Sequence, residues 1–279
     1  MVFEKYKFYR KETPIARNGM PLTPKILKRL QKAGRPARPA KDTTVNVELV
    51  ILRAVFNHAV AKGFIDRNPL KGVRLLEVRE EPRIPVLTRP EAQRFLAHVK
   101  KVDPEFYDIF SIILHTGMRI GEVRHLAWPN VDLENGLIHV RPFEFLNPLT
   151  GQKTFWAPKS KHKRGKREIP IDPVVREILQ RRRKSAGDTF VFAPYTDTNQ
   201  FEKKARQRLV RYMKAIGRPD FTHVHWLRHT FISWLAMAGI PKETIMDIVG
   251  HVEEETFERY RHTTPEHRAG ALEAVGLDV

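Results

Sequence analysis

The sequence predicts a mainly α-helical protein in two parts: a small helical module, then a larger, mainly helical domain carrying one small antiparallel sheet. Three observations support this. Apolar residues recur at helical spacing along most of the chain, as in Val45, Leu49, Leu52, Val55, Phe56 and Ala59. Strand-like alternation is confined to the middle, between residues 131 and 171. The 279 residues exceed the usual size of a single domain, and the charged stretch Leu76–Pro85, with two prolines, offers a linker.

Taken in order, residues 1–41 hold twelve Lys/Arg against Glu4 and Glu12, so they supply +10 of the formal net charge of +18, and they contain five prolines. Such a segment buries little apolar surface and is expected to be an irregular, flexible arm that an acidic partner orders, or else a solubilising tail. Pro24 to Lys32 is a weak helix candidate within it. From Asp42, with Thr43 and Thr44 as capping candidates, a helix runs until Gly63, and residues 64–70 read as a turn and a short second element. The divisions are therefore an arm (1–41), a helical module (42–80), a main domain (86–265) and a tail (266–279).

Thr88-Arg89-Pro90-Glu91 is a capping box with proline in the first turn, so a helix opens the main domain there. Residues 105–115 form an apolar helix ending near Gly117, and 121–127 a short one behind it. Residues 131–133 and 137–140 flank Glu134-Asn135-Gly136 as a hairpin. Residues 154–157 and 167–171 read as a second pair, joined by the lysine-rich loop 159–166. Helices are predicted at about 173–184, 199–215, 223–238, 241–249 and 253–260.

Composition removes several classes of function. Without cysteine there is no disulfide or thiolate metal site, and none of the twelve histidines shows the His-Glu-x-x-His spacing that sets two ligands on one helical face. No metal and no cofactor are expected. A pI near 10.2 is the footprint of a protein that settles on a polyanion. Membrane surfaces are polyanions too, but no run reaches the roughly 18 apolar residues of a span and the amino terminus has no apolar signal core. No membrane association is expected, and a cytoplasmic location is.

Arg119 stands in Thr116-Gly117-Met118-Arg119-Ile120-Gly121-Glu122, Arg228 in His225-Trp226-Leu227-Arg228, and Gly250-His251 is followed nine residues later by Tyr260. Planar guanidinium groups neutralise bidentately the charge that collects on a phosphodiester under attack, and a tyrosine can attack it without a metal. In isolation Arg119 and Glu122 read as a helix-surface ion pair. Of His223, His225 and His229, only His225 lies one turn before Arg228, so both can face one phosphate.

Taken together, these motifs resemble those of the tyrosine recombinase (phage integrase) family over about residues 42–265, most strongly at 112–125 and 222–262. The resemblance implies a core-binding module and a catalytic domain closing as a C-shaped clamp on double-stranded DNA. It implies that Arg119 and Arg228 grip the scissile phosphate and that Tyr260 attacks it to give a 3′-phosphotyrosyl intermediate, without metal or ATP. His225 and His251 would hydrogen-bond the phosphoryl oxygens, and Glu122 would orient the active-site groups. Lys159 is the favoured general acid, with Lys161 second in the same loop, and Lys161, Lys163 and Arg164 are expected to meet DNA. Four protomers, monomeric when free, would act on paired sites, with residues 266–279 as a docking peptide or a tail packed on its own chain. The amino-terminal module departs from the family, whose core-binding domain brings about four helices, and is expected to be reduced or truncated. The function implied is that of an integrase of a phage or mobile element. A chromosome-dimer resolvase of the Xer kind and a type IB topoisomerase share the chemistry, and a non-cleaving DNA-binding protein derived from an integrase is the reading from another class.

Overall fold

The computed structural model describes residues 2–12, 23–32, 39–78, 84–147, 150–158, 166–184, 189–192 and 198–250. The chain divides into two units, Met1–Pro82 and Arg83–Val279.

The first unit contains α1 (Val2–Glu12), α2 (Pro24–Lys32) and α3 (Asp42–Ala61). Helix α1 corrects the expectation of irregular structure over residues 2–12, and α2 matches the helix candidate at Pro24 to Lys32. Phe3, Tyr6 and Arg10 fall at helical spacing and meet α3: Phe3 packs edge-on against Phe56 at 5.8 Å, and the Tyr6 hydroxyl donates to Glu48 Oε2 at 2.8 Å. Arg10 forks onto both Glu48 oxygens and Lys7 donates to the carbonyl of Arg74 at 2.9 Å. Charge density misleads here because two of the arm's cations are buried by being paired. Val45, Leu49 and Leu70 form the unit's small core, and Asn46 clamps Leu76 through both its amide hydrogen and its carbonyl. Helix α3 begins at Asp42 after Lys41, without a side-chain cap from either threonine.

By length and composition alone α3 could cross a membrane. Its mid-helix polar groups are instead committed within the unit, Glu48 to α1 and Arg53 to the carbonyl of Val73. Its opposite face leaves Val47, Val50, Ile51 and Val55 exposed.

The second unit opens on α4 (Arg89–Val102), where Thr88 and Glu91 form the expected reciprocal cap. It continues through α5 (Pro104–Thr116), α6 (Ile120–Arg124), β1 (Val131–Asp132), β2 (Leu137–Val140), β3 (Phe143–Leu146), β4 (Lys153–Trp156), β5 (Arg167–Pro170), α7 (Pro173–Lys184), α8 (Thr198–Ala215), α9 (His225–Met237) and α10 (Lys242–Val249). Helix α5 is buried nearly all round and forms the axis of the core, with Phe106, Ile109, Phe110 and Ile113 against Phe95, Phe201 and Leu227. Each fully buried side chain of this kind contributes roughly 1.5–3 kcal/mol. Buried Asp108 accepts from Arg181 and Arg182 at 2.6 Å each, tying α7 to α5. The Leu87 amide donates to Thr230 Oγ1 at 3.2 Å and the Leu87 carbonyl accepts from the Trp234 indole at 2.9 Å, fixing the lead-in to α4 on α9.

The strands pair differently from the expectation. The hairpin of β1 and β2 forms, but β5 extends it in the order β1-β2-β5, while β4 pairs with β3 in a separate two-stranded sheet. The core dictates this arrangement. The register sets Ile169 opposite Ile138, both buried, whereas β3 and β4 bring Phe143, Phe145 and Trp156 together with His125 and Phe190. Phe143-Glu144-Phe145-Leu146 carries its own alternation, and it outcompetes β5 for β4.

Candidate active site

The site is assembled where three chain segments end. Helix α5 stops because Gly117 adopts the left-handed conformation (φ 64°), and there the approach is so close that an added Cβ would lie 2.6 Å from the Phe231 ring. Two residues on, Arg119 serves as the N-cap of α6. Its backbone N–H donates to Glu122 Oε2 at 2.8 Å and its Nη1 donates to Oε1 at 3.2 Å.

Glu122 is 3% exposed, and Arg167, at the start of β5, completes its shell with Nη1 to Oε1 at 3.1 Å and Nη2 to Oε2 at 2.6 Å. Four N–H donors thus saturate one carboxylate. Burial pushes its pKa up, but the bonds and charge of Arg167, the Arg119 amide and the nearby Arg228 outweigh that and hold it below the ordinary value.

Arg228 projects from α9 and is 3% exposed, donating from Nη1 to the carbonyl of Gly117 at 2.6 Å. Among the described residues its direct partner is that carbonyl and not a carboxylate. Burial and the like charges of Arg119 and Arg167 push its pKa down to about 9, so it remains charged near neutrality. His225 is a turn earlier on α9, its ring edge-on to His229 at 4.6 Å. Although the residue keeps exposed surface, desolvation, His229, Arg228 and Arg119 push its pKa down to about 3, so it is a neutral imidazole. His223 points elsewhere, against Trp226 at 4.6 Å.

The structure therefore brings Arg119, Glu122, His225 and Arg228 into one cluster from sequence positions more than a hundred residues apart. Lys159, Lys161, Lys163, Arg164, His251 and Tyr260 lie outside the described residues. Arg167 is the member that sequence reasoning missed. It was visible only as the first residue of an Arg-x-Ile-Pro strand, and nothing in that pattern says that the side chain turns inward. The helix predicted at 199–215 is present as α8, but its basic face was not singled out: it buries Phe201, Ala205 and Leu209 and exposes Lys203, Lys204, Arg206, Arg211 and Lys214.

Among the described residues, this helical domain gathers three guanidinium groups near a single carboxylate, and the direct partner of the buried Arg228 is a carbonyl, a set of groups suited to a phosphate-like anion. The comparisons give this class a family. The profile described as the phage integrase family matches residues 85–267, and the chain belongs to that family. The integrase of Haemophilus phage HP1 (strain HP1c1) is 30% identical over 84% of this chain and 60% of its own length. A tyrosine recombinase XerC of Thermodesulfovibrio yellowstonii is 26% identical over 81% of this chain and 73% of its own. The shufflon-specific DNA recombinase of Escherichia coli is 29% identical over 82% and 53%, so the chain spans little more than half of some of these relatives. Among solved structures, the Tn1549 transposon integrase in complex with transposon right end DNA is 25% identical with a TM-score of 0.67, covering 99% of this chain and 98% of that one. A lambda integrase tetramer bound to a Holliday junction shares the fold at a TM-score of 0.53 and 17% identity, over 92% and 75% of the two chains.

Proposed function

We propose that the chain is a site-specific DNA recombinase of the integrase type, which cuts and rejoins DNA through a covalent 3′-phosphotyrosyl intermediate. The observation that carries this reading is the buried Arg228 beside Arg119. A buried guanidinium whose direct partner among the described residues is a carbonyl carries a desolvation cost, which an arriving phosphate offsets. Arg119 and Arg228 hold the non-bridging oxygens of the scissile phosphate, and His225 and His251 hydrogen-bond the phosphoryl group, His225 as a neutral imidazole. The Tyr260 oxygen attacks phosphorus as its proton passes to His225 or His251, whose neutral imidazole can accept it. The bond to the 5′-oxygen breaks, and that oxygen takes a proton from Lys159, or from Lys161 in the same loop. The phosphotyrosyl bond conserves the energy of the broken one, so rejoining by the reverse step needs no ATP.

Support for DNA as the partner comes from the basic outer face of α8, from the net charge of +18, and from relatives and neighbours named for recombination or bound to DNA. Most of the affinity then comes from phosphate contacts and falls steeply with salt. Lys161, Lys163 and Arg164 are further candidates for contact with DNA by their charge. The working assembly is a homotetramer on paired sites formed from free monomers, and the compartment is the bacterial cytoplasm or nucleoid.

The test is incubation with a nicked suicide duplex carrying a site selected by the chain from random sequence, followed by denaturing electrophoresis. The intact chain is expected to form a covalent adduct that persists in EDTA, and Tyr260→Phe to form none. Arg119→Ala and Arg228→Ala should each slow adduct formation by on the order of 1,000-fold or more while binding is mostly kept, because their contacts strengthen in the transition state. No adduct on a verified binding site would transfer the assignment to a non-cleaving DNA-binding protein.

A further inference from the structure

Glu122 accepts four N–H bonds, and two of them come from a residue given no role above. We infer that Arg167 is a positioning residue for strand cleavage: it neutralises Glu122, so that Arg119 and Arg228 keep their charge for the phosphate, and it pins the end of α10 that leads into His251. The inference rests on the phosphotyrosyl reading.

The geometry supports both halves. Arg167 makes a fork on Glu122 at 3.1 and 2.6 Å, and its Nε donates to the carbonyl of Ile248 at 2.9 Å. Its guanidinium also lies 3.5 Å from where a Cβ of Gly250 would stand. One side chain, only 7% exposed, therefore joins the start of α6, the strand following the lysine loop, and the last turn before His251. Bidentate pairing of this kind fixes orientation as well as charge. Without Arg167, the carboxylate would face Arg119 and Arg228 alone and draw on the charge they offer to phosphate.

Arg167→Gln removes the charge at similar size. With the nicked duplex under single-turnover conditions, cleavage is expected to fall on the order of 100-fold while DNA affinity changes little. Adding Glu122→Gln to that variant should recover on the order of 10-fold, since it restores the charge balance. The groups facing Glu122 are Arg119 on its own helix, Arg167 on β5, and Arg228 and His225 on α9, with His125 and His139 lining the adjoining cavity. In Arg167→Gln, protonating Glu122 has the same effect as the second substitution, so the rate deficit against the intact chain should narrow toward acid pH. A merely structural role predicts neither recovery. Arg167→Lys keeps the charge without the fork and should fall between the two, which preserves the test if Arg167→Gln does not fold. Cleavage at the intact rate by either single variant, or a double variant no faster than Arg167→Gln, overturns the inference. Failure of the intact chain to form an adduct instead overturns the reading beneath it.

Discussion

Replacing Gly117 with alanine tests whether the turn between α5 and α6 is held by shape. At φ 64° a Cβ costs roughly 1–2 kcal/mol from backbone strain alone. It would also stand 2.6 Å from Phe231 Cδ1 and 2.8 Å from Val249 Cγ1, closer than any real contact. Those atoms belong to buried or half-buried packing between α9 and α10, which cannot yield freely, so overpacking adds about 1–3 kcal/mol. The sum, about 3.5 kcal/mol at its centre, corresponds to a drop in Tm of about 7–14 °C for a unit of this size. The control is Gly239→Ala, which has φ 76° but open space around the added carbon, and should show the backbone term alone. Urea unfolding followed by tryptophan fluorescence reads both, because Trp128, Trp226 and Trp234 lie in this unit. If Gly117→Ala costs no more than Gly239→Ala, the steric argument is wrong. Cleavage should suffer more than stability does, because the Gly117 carbonyl is the direct partner of Arg228.

Thr230→Val leaves the buried Leu87 amide without its acceptor and should cost about 1–3 kcal/mol in urea unfolding, whereas Thr230→Ser should lose much less; equal losses would remove the hydrogen bond as the cause. His225 is neutral when folded, with a pKa of about 3, but takes up a proton below about 6.5 when unfolded. The unfolded state therefore binds more protons between these values, and stability should fall as pH drops through that window. His225→Asn should show a shallower slope in unfolding measured across it, and an unchanged slope would contradict the assignment.

The sequence made the helices of the second unit legible because their ends are written locally. Thr88 with Glu91 and Gly117 are chemical punctuation that no distant contact needs to supply. The first unit was harder, since α1 is stabilised by Glu48, more than thirty residues away, and its composition alone reads as an arm. Strand pairing failed for the same reason. Residues 154–157 alternate equally well in either sheet, and the choice falls to aromatic packing with His125 and Phe190 that no local pattern encodes. In the candidate site, Arg119, Glu122, His225 and Arg228, which the structure brings together, could be picked out as candidates from their motifs. Arg167 could not be, since its contact with Glu122 spans 45 residues of chain.

The charge balance of the cluster bears on why it has this composition. Arg119, Arg167 and Arg228 contribute three positive charges and Glu122 one negative, while His225, with a pKa of about 3, contributes none near neutrality. The described cluster thus carries a net charge of +2. On the proposed phosphotyrosyl reading, a phosphodiester would arrive with a single negative charge and become doubly negative as the fifth oxygen bonds to phosphorus. A site matched to the double charge, with its groups already fixed by the Glu122 network, binds the transition state more tightly than the ground state, and only that difference accelerates the reaction. On this argument Glu122 serves to limit the charge as well as to orient it. A third unneutralised guanidinium would hold the uncut phosphate and the cut product more firmly without adding selectivity for the step between them.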